Sequence, residues 1–231
     1  MRHFGLKRLL IATTAVCLSA GIARAAPIFV NGGFESDAWI PGQTFHVSPI
    51  GWSAVQSSDG RFIEGDHNTS DLTNHYTPYG DQFAILCAAD CGAATRGSLS
   101  QTLSGFTVGG QYRIDFAQSS EISSSGGNFD ALVNLSITGA GTSTTTFSAI
   151  AAAQPGRSWA DWQAQTLTFT ADSTVLTFKF EGTAPGPKVD IESGLDNISL
   201  SELSVVPEPA SFTLLLLGLA GLGAARKRCR K

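Results

Sequence analysis

The chain has 231 residues, with 15 Lys and Arg against 19 Asp and Glu, for a net charge of −4 at pH 7. Most of the bases sit at the two ends: residues 26–205 alone hold 18 acids against 6 bases, a net charge of −12. A middle section this acidic excludes nucleic acid and anionic lipid as principal partners, because both are bound through clustered Lys and Arg.

In chain order, Arg2, Lys7 and Arg8 form a positive leader, Leu9 to Ile22 is mostly apolar, and Ala23-Arg24-Ala25 has the A-x-A form of a cleavage site. Residues 1–25 therefore read as a secretory signal peptide. No cysteine directly follows the expected cut, which argues against a lipoprotein anchor.

Residues 26–205 are enough for one domain with a sizeable core. Their apolar residues recur mainly with period two, the pattern of half-buried strands. Tyr112, Ile114 and Phe116 alternate with Arg113 and Asp115, and Val133, Leu135 and Ile137 alternate with Asn134 and Ser136. Leu167 and Phe169, and then Leu176, Phe178 and Phe180, repeat the pattern. Gly109-Gly110, Ser123 to Gly127 and Ala184 to Pro187 supply turns between these runs. The expected fold is all-β, a two-sheet sandwich. Only the Ser-, Thr- and Ala-rich stretch from Gly139 to Gln154 lacks a clear period, and it reads as a long loop or a short helix.

Cys87 and Cys91 are the only cysteines between residues 26 and 205. In an exported protein the pair is expected to close as a disulfide. A zinc site is the weaker alternative, since no second His or Cys pair has matching spacing.

The end of the chain has three dissimilar parts in a fixed order. Pro207-Glu208-Pro209 breaks the preceding structure, the uncharged run Ala210 to Ala225 follows as a membrane-inserting helix, and Arg226-Lys227-Arg228-Cys229-Arg230-Lys231 closes it as a cytoplasmic stop. This order, over residues 206–231, resembles the PEP-CTERM sorting signal of Gram-negative bacteria. The resemblance implies processing by an exosortase at the membrane, and delivery to the surface or the extracellular matrix of species that make exopolysaccharide.

Landmarks in the domain carry a second resemblance. Asn31-Gly32-Gly33-Phe34-Glu35, Gly51-Trp52, Gly80-Asp81-Gln82-Phe83-Ala84, Leu99 to Leu103, Val108 to Tyr112, Trp162 before Thr166 to Thr170, and Gly194-Leu195-Asp196-Asn197-Ile198 occur in that order. The order is similar to that of galactose-binding-like jelly rolls, a fold shared by many carbohydrate-binding modules. In such modules the residues matching Glu35 and Asp196 hold a structural calcium ion. On physical grounds too, the N-terminal segment carrying Glu35 and the last strand carrying Asp196 are commonly brought together when a sandwich closes, and two hard oxygen ligands with backbone carbonyls suit Ca²⁺; capping of turns by Glu35 and Asp196 is the simpler alternative.

Sugar recognition needs flat aromatic faces and a few fixed polar groups. The loop-rich stretch from Asp59 to Asp81 offers Arg61, Glu64, His67, His75, Tyr76 and Tyr79, with Tyr76 and Tyr79 as the leading aromatics. Trp39 and Trp159 are further candidates, whereas Trp52 and Trp162 read as core residues. No nucleophile elbow, zinc-protease motif or phosphate-cradling glycine loop occurs. The expectation is a non-catalytic exported protein that binds carbohydrate, with a structural matrix or adhesion protein as the alternative. The third reading, a glycan-cleaving enzyme, would need paired carboxylates drawn from Glu64, Asp66, Asp71 and Asp81.

Overall fold

The computed structural model describes residues 26–37, 44–45, 48–55, 63–65, 77–89, 96–120, 131–139, 142–149, 160–184 and 191–203. The signal peptide and the whole sorting segment, including Pro207, Glu208, Pro209 and the expected helix Ala210 to Ala225, lie outside the described residues. Among the described residues no helix is long and apolar enough to cross a membrane.

The described strands are β1 (Thr44–Phe45), β2 (Ser53–Val55), β3 (Ile63–Gly65), β4 (Gln82–Ala89), β5 (Ser98–Ser104), β6 (Gln111–Ser120), β7 (Ala131–Thr138), β8 (Thr142–Ala149), β9 (Gln163–Thr170), β10 (Val175–Thr183) and β11 (Ile191–Leu203). They form two antiparallel sheets, one of six strands in the order β1-β3-β4-β11-β6-β9 and one of five in the order β2-β5-β10-β7-β8. The fold is the two-sheet all-β sandwich that the alternation implied.

The alternation decides which side chains meet between the sheets, because successive residues of a strand face opposite ways. Tyr112, Ile114 and Phe116 of β6 and Ala84 and Leu86 of β4 are buried in the main core. So are Leu99 and Leu103 of β5, Leu176, Phe178 and Phe180 of β10, and Val133, Leu135 and Ile137 of β7. The rings meet largely edge to face, as with Phe116 against Phe180 at 5.3 Å and 78° and Phe169 against Phe178 at 5.7 Å and 67°. Such pairs add to simple area burial. The outer face of the five-stranded sheet is correspondingly polar, with Thr102 bonded to Thr177 at 2.8 Å and Thr146 to Asn134 at 2.7 Å.

Where the sequence left a loop or short helix, residues 142–149 form edge strand β8, paired with β7 from Thr138↔Thr142 to Ala131↔Ala149. Its threonines suit the pleated, half-buried edge, and Phe147 packs on Phe116 at 5.0 Å and 85°. Pairing with β7 supplies the periodicity that the local sequence shows only weakly.

Candidate functional site

At one end of the sandwich three segments distant in sequence meet: the turn 31–37, the segment Thr77-Pro78-Tyr79-Gly80-Asp81-Gln82, and the bulge in β11. The ladder between β11 and β6 slips there, between Asp196 and Ser199. Bulges re-aim side chains, and this one turns Asp196 and Ile198 toward the N-terminal turn. Ile198 donates its N–H to the Gly32 carbonyl at 2.9 Å. A Cβ on residue 32 would lie 2.2 Å from the Ile198 carbonyl oxygen, so this close approach demands glycine.

The turn is braced from within. Asn31 accepts the Ser36 N–H at 3.0 Å and donates its amide to Asp37 at 2.7 Å. Asp37 in turn accepts the Ile50 N–H at 3.0 Å. Trp52 closes the turn from below, donating its indole N–H to the Asn31 carbonyl at 3.1 Å and stacking on Phe29 at 5.6 Å and 5°. Three non-glycine residues have positive φ among the described residues, Asn31 at 53°, Phe34 at 58° and Asn197 at 50°. Phe34 and Asn197 adjoin Glu35 and Asp196, and Asn31 opens the turn that carries Glu35. Backbone held in this region is costly, especially for a residue as bulky as Phe34, and it collects at functional sites.

The two carboxylates are held as acceptors. Glu35 Oε1 takes the N–H groups of both Asp81 and Gln82 at 2.8 Å. Asp196 is fully buried, accepts the Asn197 N–H at 2.6 Å, and receives a hydrogen bond from the Thr77 hydroxyl. Burial pushes its pKa up from 3.8 to about 7; the bonds from Thr77 and Asn197 oppose this, and the neighbouring negative charge of Glu35 adds to it.

Neither carboxylate forms an ion pair with a described residue. Nearby, Gln82 buries its Oε1 with no hydrogen-bond partner while its amide nitrogen donates to the Asp37 carbonyl at 3.1 Å. The two carboxylates, which repel each other, and the Thr77 hydroxyl between Asp196 and Tyr79 are hard oxygen donors, of the type that calcium takes rather than a softer metal. The set contains only two acidic ligands; no group of three or more His, Cys, Asp or Glu side chains suited to a metal occurs among the described residues.

Gly80 sits against this arrangement. A Cβ there would stand 2.1 Å from Glu35 Oε1, and Glu35 cannot swing away without releasing two backbone N–H groups. Gly80→Ala is therefore expected to lower stability by about 1–3 kcal/mol, read as a shift in the urea midpoint at unchanged slope.

Beside the carboxylates lies an aromatic cluster on the outer face of the six-stranded sheet. Phe83 and Ile85 of β4 point away from the main core and are fully buried beneath Trp162. The Trp162 ring meets Phe83 at 5.4 Å and 78° and Tyr79 at 6.4 Å and 90°. Tyr79 is 39% exposed, and Trp162 is half-buried. The register places Ala117, Ser119 and Gly194 on the intervening strands, facing the same way as Ile85. Their small size leaves room for an indole. Trp162 is thus half-buried in a small second cluster outside the main core, where the sequence suggested a core residue; Trp52 is the tryptophan of the main core.

Of the other residues singled out from sequence, Arg61, His67, His75 and Tyr76 lie outside the described residues, as do Trp39, Trp159, Asp66 and Asp71. Glu64 lies on β3 opposite Phe83. Cys87 is buried and disulfide-bonded, while Cys91 lies outside the described residues.

Comparison with known proteins supplies the rest. Residues 205–231 match the family model of the PEP-CTERM protein-sorting motif. The chain carries a PEP-CTERM sorting signal. This PEP-CTERM motif implies an exported, exosortase-processed protein of the cell surface. No curated protein matches the chain in sequence.

Among solved structures, a Stig cyclase, Fisc, from Fischerella sp. TAU is similar at 16% identity and a TM-score of 0.52, over 78% of this chain and 98% of its own. TmCBM61 in complex with beta-1,4-galactotriose is similar at 14% identity and a TM-score of 0.45, over 76% of this chain and 98% of its own. The K3 cleaved adhesin domain of Lys-gingipain from Porphyromonas gingivalis w83 is similar at 13% identity and a TM-score of 0.44, over 76% and 97%. At this identity the cyclase overlay shows a shared fold and nothing of function.

Proposed function

We propose that this PEP-CTERM protein is a non-catalytic jelly-roll module of the cell surface or extracellular matrix that binds carbohydrate at the Tyr79–Trp162 pair. On this reading Glu35 and Asp196 hold a structural calcium ion. The observation that carries the sugar site is the partial exposure of Tyr79 at right angles to Trp162, above Phe83 and Ile85 on the outer face of the six-stranded sheet. Such a pair offers one ring for the C–H face of a pyranose and an edge beside it, with exposed Asp81 two residues on from Tyr79 to take hydroxyls. The net charge of −12 between residues 26 and 205 favours neutral or calcium-bridged glycans over polyanions.

The test is calorimetry of the purified protein against a polysaccharide panel that includes the producer's own exopolysaccharide. Tyr79→Ala is expected to weaken binding at least tenfold while leaving the melting temperature near that of the wild type, because Tyr79 is partly exposed. Equal affinity of the variant and the wild type would remove the site.

A matrix or adhesion protein with no glycan site is the second reading, and one observation favours it. Ile28, Val30 and Ile50 are 75%, 54% and 53% exposed, and Val30 lies against Gly51. Concentration-dependent association in sedimentation, without saturable glycan binding, would select this reading.

A further inference from the structure

The aromatic pair and the carboxylate pair share one short piece of chain. Residues 77–82 begin at Thr77, which is buried and donates to Asp196, and end at the Asp81 and Gln82 N–H groups, which donate to Glu35. The Thr77 hydroxyl also accepts the Tyr79 N–H, at 3.2 Å. Within the segment Pro78 has a fixed φ and restricts Thr77 before it to extended backbone. Few soft dihedrals therefore separate the ring of Tyr79 from its two anchors. Those anchors arise 46 and 119 residues away in sequence, so only the folded end of the sandwich sets the distance between them.

We propose that Thr77 is a positioning residue that couples cation occupancy at Glu35 and Asp196 to the placement of Tyr79 against Trp162, an inference that rests on the calcium and glycan reading above. Without a cation the two carboxylates repel, and each holds one end of the segment that carries Tyr79. A divalent cation between them relieves the repulsion and draws both ends to one spacing, which Thr77 transmits to Tyr79 through its single hydroxyl. Coupling of this kind is reciprocal, so a glycan seated on Tyr79 and Trp162 raises cation affinity by the factor by which calcium raises glycan affinity. A factor of about five or more is expected.

The experiment uses the purified protein with Ca²⁺ and with Tb³⁺, whose luminescence is sensitised by nearby Tyr and Trp. The Trp162 signal is isolated as the difference from Trp162→Phe, and its quenching by acrylamide is followed with calcium and with chelator. In the wild type and in Thr77→Ser, Tb³⁺ is sensitised and displaced by Ca²⁺, and calcium changes the quenching of Trp162. In Thr77→Val, Tb³⁺ still binds, but the calcium response of Trp162 and the calcium dependence of glycan affinity are both lost. An unchanged calcium response in Thr77→Val overturns the proposal, as does a wild type whose Trp162 ignores calcium or whose Tb³⁺ luminescence is absent. Should Thr77→Val fail to fold, Thr77→Ser decides, since a serine hydroxyl must preserve the full response. A protein that shows the fluorescence coupling but binds no glycan keeps the inference and sinks the glycan reading alone.

Discussion

In chelator, the stability of the protein should fall by roughly 4 kcal/mol as pH rises from about 4 to about 7, and Asp196→Asn should abolish most of that slope. The buried Asp196 carboxyl has its pKa raised from 3.8 to about 7, first by burial. Between these values the folded state keeps a proton that the unfolded chain has released. The folded state then binds more protons than the unfolded state, and stability must decline with increasing pH across that window. Below pH 4 both states are protonated and above about pH 7 both are ionised, so this contribution is flat outside it. Saturating Ca²⁺ is expected to restore stability near neutral pH, because a cation that binds only the folded state favours its ionised carboxylates. Urea midpoints from pH 4 to 8, with chelator and with calcium, measure both effects. A wild-type slope no steeper than that of Asp196→Asn would refute the assignment, and a midpoint unmoved by calcium would remove the metal.

Trp52→Ala is expected to cost about 3–5 kcal/mol and to weaken cation binding as well. Trp52 is 6% exposed and touches Phe29, Phe34 and Phe180 within 5.6 to 6.1 Å. Its indole N–H also holds the Asn31 carbonyl, the start of the turn that presents Glu35. Losing the ring therefore opens a cavity and loosens the turn together. Trp52→Phe separates the two contributions, since it keeps most of the packing and loses the hydrogen bond, for about 1 kcal/mol with part of the volume lost besides. Chemical denaturation and a Tb³⁺ titration of both variants read stability and site integrity. Full cation affinity in a folded Trp52→Ala protein would show that the turn does not depend on this prop.

The sorting signal and the β class were legible in the sequence because each is a local pattern. Charge, hydropathy and proline placement define the sorting signal, and period-two alternation in segments such as Tyr112 to Phe116 defines half-buried strands without any knowledge of their partners. The glycines and asparagines around Glu35 and Asp196 carried the jelly-roll resemblance that singled out these two carboxylates. The structure supplies the reason for that order: Gly32 touches the Ile198 carbonyl, and Asn31 and Asn197 take positive φ.

Tertiary structure alone decided three things. Residues 142–149 became a strand because β7 offered an unpaired edge, an influence that lies outside the segment's own weak pattern. Trp162 came to pack, half-buried, on the outer face because Phe83 and Ile85 face outward with small residues between them and β9, an arrangement fixed by the register of four strands. Thr77, unremarked in sequence, became the link between Asp196 and Tyr79, since a hydroxyl gains its role only from the groups that the fold brings within about 3 Å of it. Local pattern determines which side of a strand is buried and where the chain is sent, because both follow from neighbours along the backbone. The meeting of Glu35, Thr77, Tyr79, Trp162 and Asp196 follows from neighbours across the sandwich, which no local pattern encodes.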